Sequence, residues 1–384
     1  MLFRSVNGNN FGVTSIVRWN GSDRPTHFIS VNQLTADISA ADIATTGSVN
    51  VTVINPGPGS VDSNAAVFTI RPVPTTVYVD DDWTTGVYDE AIIVPGAPSN
   101  PHYFGYDAFG AIVPALAEVE DAGTIEVFSG NYNEAIDIDK EVCLASVEGA
   151  ATTVIDGLGT GRALTGGLDI PIAIRPAGND AVSIEGFRFI NSYIGIEMKD
   201  VAGNPNDYLI VMNCEFAGND INGSAIVVEH SQADILGNRI EGLGGGIRIA
   251  NSSNCNIIGN IITGGSNYGI AVGSDNVEGL GALTAENINI QSNIITNLSS
   301  TPFTQAYGIF VGQSDGSTSA PLCRNVTLDD NTITTCGHTA IMLDGINTPG
   351  DGVLLITNNR ISNCGTYPGV AVDGIWAVGA FGDI

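Results

Sequence analysis

Two aspartates close short phrases of like pattern, Ala-Ile-Met-Leu-Asp (340–344) and Gly-Val-Ala-Val-Asp (369–373). Apolar and variable residues alternate in both, so each phrase reads as a strand with one buried face, and Asp344 and Asp373 point outward. Strand spacing would set their carboxylates about 5 Å apart. That separation serves acid–base work on a sugar or ligation of Ca²⁺, and two solvated acids of an acidic chain fit the same pattern. Arg248 and Glu229 lie at outward positions of related phrases and complete a candidate catalytic set. Phe310, Met342, Lys199 and Glu197 share that face as candidate substrate contacts. A second acidic group is Asp80-Asp81-Asp82, with Asp89 nearby. Consecutive strand residues face opposite ways, so only Asp80 and Asp82 converge. Their hard oxygens suit Ca²⁺, and a bare acidic turn is the other reading. His27, His102, His230 and His338 show no spacing that makes a metal site.

The elements that hold these residues follow from composition and repetition. Lys plus Arg number 13 and Asp plus Glu 41 among 384 residues, a net charge of 13 − 41 = −28. That excludes binding of nucleic acid through phosphate neutralisation and docking on an anionic membrane. No apolar run is long enough to cross a bilayer. Charged residues are 14% and apolar residues 43%, with 48 glycines. Such a chain is not disordered; it suits many short strands and tight turns.

From residue 180 onward one phrase recurs: VSIEGFRF, LIVMNCEF, ADILGNRI, CNIIGNII, INIQSNII, VTLDDNTI and LLITNNRI. Its anchors are Phe187, Cys214, Asn238, Asn260, Asn293, Asn331 and Asn359. The positions three before and two after each anchor are always apolar. A second phrase follows each anchor: GIEM, AIVV, GIRI, GIAV, GIFV, AIML and GVAV. Repeats this short hold no helical period, so each is a coil of strands. Stacked coils bury jointly what one coil cannot. The asparagines then form a column of hydrogen-bonded side chains at a turn whose left-handed backbone suits Asn. The wider anchor spacings place insertions at about 274–287, 299–307, 313–325 and 345–352. Cys336 and Cys364 both follow their anchors by five, so they stack, as two thiols or as a disulfide. No cysteines form a CxxC pair.

These phrases resemble the PbH1 repeats of right-handed parallel β-helices, the pectin-lyase-like superfamily with its asparagine ladder, over about 77–384. Segment 105–146 predicts an amphipathic helix at roughly 108–121, with Phe109, Ile112, Val113, Leu116 and Val119 on one side. It resembles the capping helix and first coil of secreted β-helix proteins. Strands are expected at Ile125–Phe128, Ala135–Ile138 and Val142–Ala145. TVYVDDDW (76–83) and FGYDAF resemble the lead-in of a bacterial group of such helices. Residues 1–71 alternate strands with Pro and Gly turns, a sandwich pattern. They resemble an IPT/TIG domain, an immunoglobulin-like module, through Trp19-Asn20-Gly21, Leu34-Thr35-Ala36, Val51-Thr52-Val53, Asn55-Pro56 and Ser63-Asn64. The expected architecture is all-β: a small immunoglobulin-like sandwich (1–71), a linker and lead-in (72–104), and a right-handed parallel β-helix with an N-terminal capping helix (105–384). The sandwich lacks the family's opening strand and the last repeat has no polar cap. Both ends read as cut from a longer secreted or cell-surface protein whose signal peptide lies upstream.

The β-helix resemblance implies a substrate groove on the outer face of one sheet, walled by inserted loops; the GI-x-V strands are the candidate. The enzyme motifs are incomplete. Of the polygalacturonase set, the chain has Asp329-Asp330 and Gly337-His338-Thr339 but lacks NTD, GHG and RIK. Lyases of the superfamily need an Arg or Lys base, and the lysines are only Lys140 and Lys199. A −28 surface gives little positive charge to meet a uronan carboxylate. The DPH motif of alginate epimerases is absent. The reading is a carbohydrate-binding or adhesion-type β-helix whose partner is a polysaccharide or cell-surface glycan. The alternative is a polysaccharide lyase or glycoside hydrolase acting on the GI-x-V sheet.

Overall fold

The computed structural model describes residues 2–57, 59–60, 62–84, 86–157, 161–163, 169–176, 181–199, 207–217, 223–274, 285–299, 306–313, 323–344, 353–365 and 374–378. Most of the expected insertions, the GVAV phrase and Asp373 lie outside them. The chain forms two compact units, Met1–Val73 and Pro74–Ile384.

The first unit has two antiparallel sheets. One orders Leu2–Asn7, Gln33–Ile38 and Thr26–Ser30. The other orders Ser22–Asp23, Ile16–Trp19, Gly47–Ile54 and Ala66–Ile70. Gln33–Ile38 alternates half-buried and buried residues, so Leu34, Ala36 and Ile38 join Val17, Trp19 and Val53 in a small core.

The second unit is built of three long parallel sheets, of 11, 9 and 10 strands. The chain visits the first, second and third sheet in turn, and each coil adds one strand to each: a parallel β-helix. Thr76–Val79 already belongs to the first sheet, between Ala108–Phe109 and Gly123–Val127. Segment 72–104 is therefore not only a lead-in; its first strand belongs to the solenoid. A strand at Gly130–Tyr132, absent from the expectation, opens the second sheet.

The interior follows from the repeat. In the first sheet Ile184, Val211, Ile235, Ile257, Ile290 and Leu328 stand in register and fully buried. In the second, Phe189 and Phe216 stack at 4.8 Å and 8°, and Ile240, Ile262, Ile295 and Ile333 carry the row onward. Between these sheets run the asparagines. The amide nitrogen of Asn238 donates to Asn260 Oδ1 at 3.0 Å, Asn260 to Asn293 at 3.0 Å, Asn293 to Asn331 at 3.0 Å and Asn331 to Asn359 at 2.9 Å. Each Oδ1 also accepts the backbone N–H of the preceding anchor. The second amide hydrogen goes to a carbonyl one coil back, as from Asn260 to Ile235 O at 2.9 Å. The side-chain donors and acceptors of the buried ladder asparagines are thus used, which makes burial of an amide tolerable.

The left-handed turn sits one residue earlier than expected. Gly186, Asn213, Gly237, Gly259, Ser292, Asp330 and Asn358 have φ between 52° and 76°, and each immediately precedes an anchor. The anchors themselves do not: their side chains turn inward, and the residue before takes the reversal. Gly, Asn, Asp and Ser share that position because their small or polar side chains accept left-handed backbone.

The helix is shorter than expected, Ile112–Glu118. Ile112, Ala115 and Leu116 are buried in the solenoid core. Val113 is 44% exposed, and Phe109 belongs to the preceding strand, so neither lies on a packed helix face. The Glu134 carboxylate accepts the N–H groups of Ile112 at 2.7 Å and Val113 at 2.8 Å, satisfying the first turn.

Candidate functional site

The third sheet carries the GI-x-V phrases, and its register defines their faces. Inward stands a row of isoleucines, Ile196, Ile226, Ile247, Ile270, Ile309 and Ile341, and Ile375 continues their register, itself exposed. One residue on, outward, stand Glu197, Val227, Arg248, Ala271, Phe310, Met342 and Trp376. A second outward row reads Lys199, Glu229, Ala250, Gly273, Gly312 and Asp344.

The strand beside Ile341–Asp344 is Ile375–Val378, and Asp344 stands opposite Val378. Asp373 lies outside the described residues, before that strand. A Gly-apolar-x-apolar phrase occurs twice in succession here, at Gly369-Val370 and Gly374-Ile375. The second continues the ladder, through the N–H of Ile341 donating to Gly374 O at 3.0 Å. Asp344 is half-buried, and among the described residues it has no ion-pair partner.

Buried Glu229 is held by two partly exposed cations. Lys199 Nζ lies 2.6 Å from Glu229 Oε2, and Arg248 Nη1 3.0 Å from Oε1. The carboxylate has 9% of its side-chain surface exposed. One anion thus meets two cations, and all three expected site residues are occupied with one another. Glu197 and Val227 are also buried, the latter against Tyr193 and Ile194. The early part of this face is therefore closed, not an open groove.

The later part differs. Tyr307 and Phe310 meet with ring centroids 5.6 Å apart. Tyr307 stands edge-on to His338 at 5.3 Å, and His338 stacks on Trp376 at 6.1 Å. Trp376 is 38% exposed, while Met342, between Phe310 and Trp376 in the row, is buried and fills the floor. Tyr268 pairs in register with Tyr307, and its hydroxyl lies 3.0 Å from Ser224 Oγ. Gly245 makes room for it: a Cβ there would lie 2.5 Å from the Tyr268 ring. Burial and the nearby Asp344 carboxylate both raise the Tyr307 phenol above its ordinary pKa. Burial lowers that of His338, favouring the neutral imidazole. Its Nδ1 lies 3.0 Å from Thr339 Oγ1, and its Nε2 is buried with no hydrogen-bond partner among the described residues.

Tyr268, Tyr307, His338 and Trp376 were not among the expected site residues. The tyrosines recur at one place in their coils, two residues before an inward isoleucine, where strict alternation turns them toward the interior. Trp376 lay hidden because the preceding GVAV phrase took its place in the alignment.

The Asp80 run serves the backbone. Asp80 Oδ1 accepts the N–H of Asp82 at 3.0 Å, and Asp81 Oδ2 that of Asn131 at 2.9 Å. Burial and the neighbouring acids raise the Asp80 carboxyl. Among the described residues no group of three or more His, Cys, Asp or Glu side chains is placed to hold a metal. Asp329 accepts from Thr357 and Asn358 at 2.7 and 2.9 Å. Cys336 and Cys364 are thiols, and a hydrogen bond from Cys336 lowers the Cys364 thiol.

Three parallel sheets wound coil by coil define a parallel β-helix protein. Residues 172–320 match the family described as right handed beta helix region. No curated protein matches the chain. Among solved structures it is similar to PfbA, a surface adhesin of Streptococcus pneumoniae, with 14% identity over 66% of this chain and 86% of that one and a TM-score of 0.35. It is also similar to the mannuronan C-5 epimerase AlgE4 A-module of Azotobacter vinelandii, with 11% identity over 67% and 91% and a TM-score of 0.26. For the pectin methylesterase of Aspergillus niger the values are 13%, 80%, 92% and 0.29. No helix among the described residues is long and apolar enough to cross a membrane.

Proposed function

We propose that this β-helix is a secreted or cell-surface glycan-binding protein of adhesion type, and that it holds its ligand on the later part of the third sheet's outer face. The observation that carries this reading is a run of neighbouring rings in which half-buried Phe310 and Tyr307 and exposed Trp376 are linked through His338, itself buried beneath them. Aromatic rings present large rigid apolar area with a polar edge, which matches the apolar face and hydroxyl rim of a pyranose. The carboxylate of Asp344 stands beside them as an acceptor for sugar hydroxyls. Residues 1–71 fit an immunoglobulin-like spacer in such a protein. A two-carboxylate hydrolase has less support, since Asp344 faces Val378 and Glu229 is paired.

The test is a glycan array with the wild-type protein and Trp376→Ala, read beside assays for reducing ends and unsaturated products. The expected result is binding that weakens about 30-fold in the variant, roughly 2 kcal/mol for a hot-spot aromatic, with no product formed. Product formation that disappears in Asp344→Asn would overturn the reading in favour of catalysis.

A further inference from the structure

Across the two outward rows from Glu197 to Trp376 the cations are Lys199 and Arg248, and both close on Glu229. The aromatic surface lies further along the same rows. The charge it carries there is Asp344, close enough to Tyr307 to raise its phenol. The protein as a whole carries −28. A hexuronan brings one carboxylate per residue. Stacked on Tyr307 and Trp376, it would set like charges beside Asp344 with no unpaired cation in these rows among the described residues to meet them, and such juxtapositions are costly. A neutral polysaccharide meets the same rings without that repulsion, and its hydroxyls can donate to the free carboxylate.

We infer that this face selects neutral polysaccharides and rejects hexuronans, with Asp344 as a specificity-determining residue. The inference rests on the glycan-binding reading above. Asp344 excludes through its charge, while Tyr307 and Trp376 supply the contact. The ion cluster keeps Lys199 and Arg248 from rescuing an anionic chain.

The test uses matched pairs: polygalacturonate and alginate, each against its carboxyl-reduced counterpart, with mannan and a glucan as further neutral chains. Binding is measured with the full chain, Trp376→Ala and Asp344→Asn at low salt and at about 0.5 M NaCl, where charges more than a few ångströms apart are screened. The expected result is that reduced chains bind at least about tenfold more tightly than the parent uronans. That gap should narrow at high salt and in Asp344→Asn, and Trp376→Ala should weaken every neutral ligand. Uronans that bind as tightly as their reduced forms, through Trp376, would overturn the inference and leave the glycan-binding reading standing. A gap that persists unchanged in Asp344→Asn would remove Asp344 from the selection. No binding to any chain, or binding indifferent to Trp376→Ala, would bring down the glycan-binding reading itself.

Discussion

Adjacent residues of the same strands have opposite histories. Ile196, Ile226, Ile247, Ile270, Ile309, Ile341 and Ile375 form one row, isoleucine seven times over. Their neighbours run Glu197, Val227, Arg248, Ala271, Phe310, Met342 and Trp376, with no residue type repeated. Backbone, register and coil spacing are shared, so these do not account for the contrast. An inward residue touches the coil above, the coil below and two other sheets, and close packing holds its volume nearly fixed. An outward residue answers to its own surface alone. The early part of that outward row carries ions and small apolar contacts, and the later part carries two rings, Phe310 and Trp376, on either side of Met342. The solenoid is thus a repeated frame on which chemistry can change coil by coil without disturbing the core.

The contrast breaks most visibly at Ile270, fully buried in mid-row. Ile270→Ala should cost about 3–4 kcal/mol, transfer plus cavity, read as a fall in the urea or thermal midpoint. A loss below about 1 kcal/mol would mean that the inward row is not close-packed. Asn260→Ala comes next. It leaves the N–H and amide of Asn238 without their acceptor, and Ile235 O without its donor. Buried orphans of this kind cost roughly 1–3 kcal/mol each, less where relaxation admits water. A total near 3 kcal/mol is expected. Asn359→Ala, at the half-buried end of the column, should cost about 1 kcal/mol. Equal losses at both positions would show that the ladder is not the source of the stability.

How much of this was legible beforehand follows the same division. The inward rows and the asparagine column repeat their residue types, so sequence spacing located Ile235, Ile257 and Asn260 on their shared faces. A second ladder is equally visible in the spacing. Asn254, Asn287 and Asn325 each stand six residues before an anchor, and their exposed amides link coil to coil at 3.0 and 2.9 Å. The outward chemistry does not repeat, and there spacing says less. Alternation placed Glu229 outward but could not say that Lys199 and Arg248 would both close on it. For the Asp344–Asp373 pair, two successive Gly-apolar phrases offered themselves for one strand; the second continues the isoleucine register through Ile375, and Asp373 lies outside the described residues. Periodicity gives the face, whereas partners on a face depend on distances that no period encodes.

On the outer side the ion cluster offers a milder perturbation. Glu229→Gln removes the anion between Lys199 and Arg248, whose side chains are 48% and 32% exposed. Their charges reach water, so the loss should be about 1–2 kcal/mol, below the 3–5 of a fully buried pair. It should shrink further at high salt. Binding of neutral glycan should be unchanged, because the ring surface lies beyond the cluster. A loss of binding equal to that of Trp376→Ala would mean that the two halves of the face work as one site.

The smallest effect should come at Ala271, one residue from Ile270 and one coil from Phe310. Ala271→Phe adds a ring to the outward row. If that row answers only to its own surface, stability should change by no more than about 0.5 kcal/mol. A further stacking position should then tighten neutral glycan about threefold, the low end of an aromatic contact. Ala271 is half-buried, which makes the substitution a sharp probe. A destabilisation of about 2 kcal/mol would reveal a contact as demanding as the core, and the surface would no longer be free to vary from coil to coil.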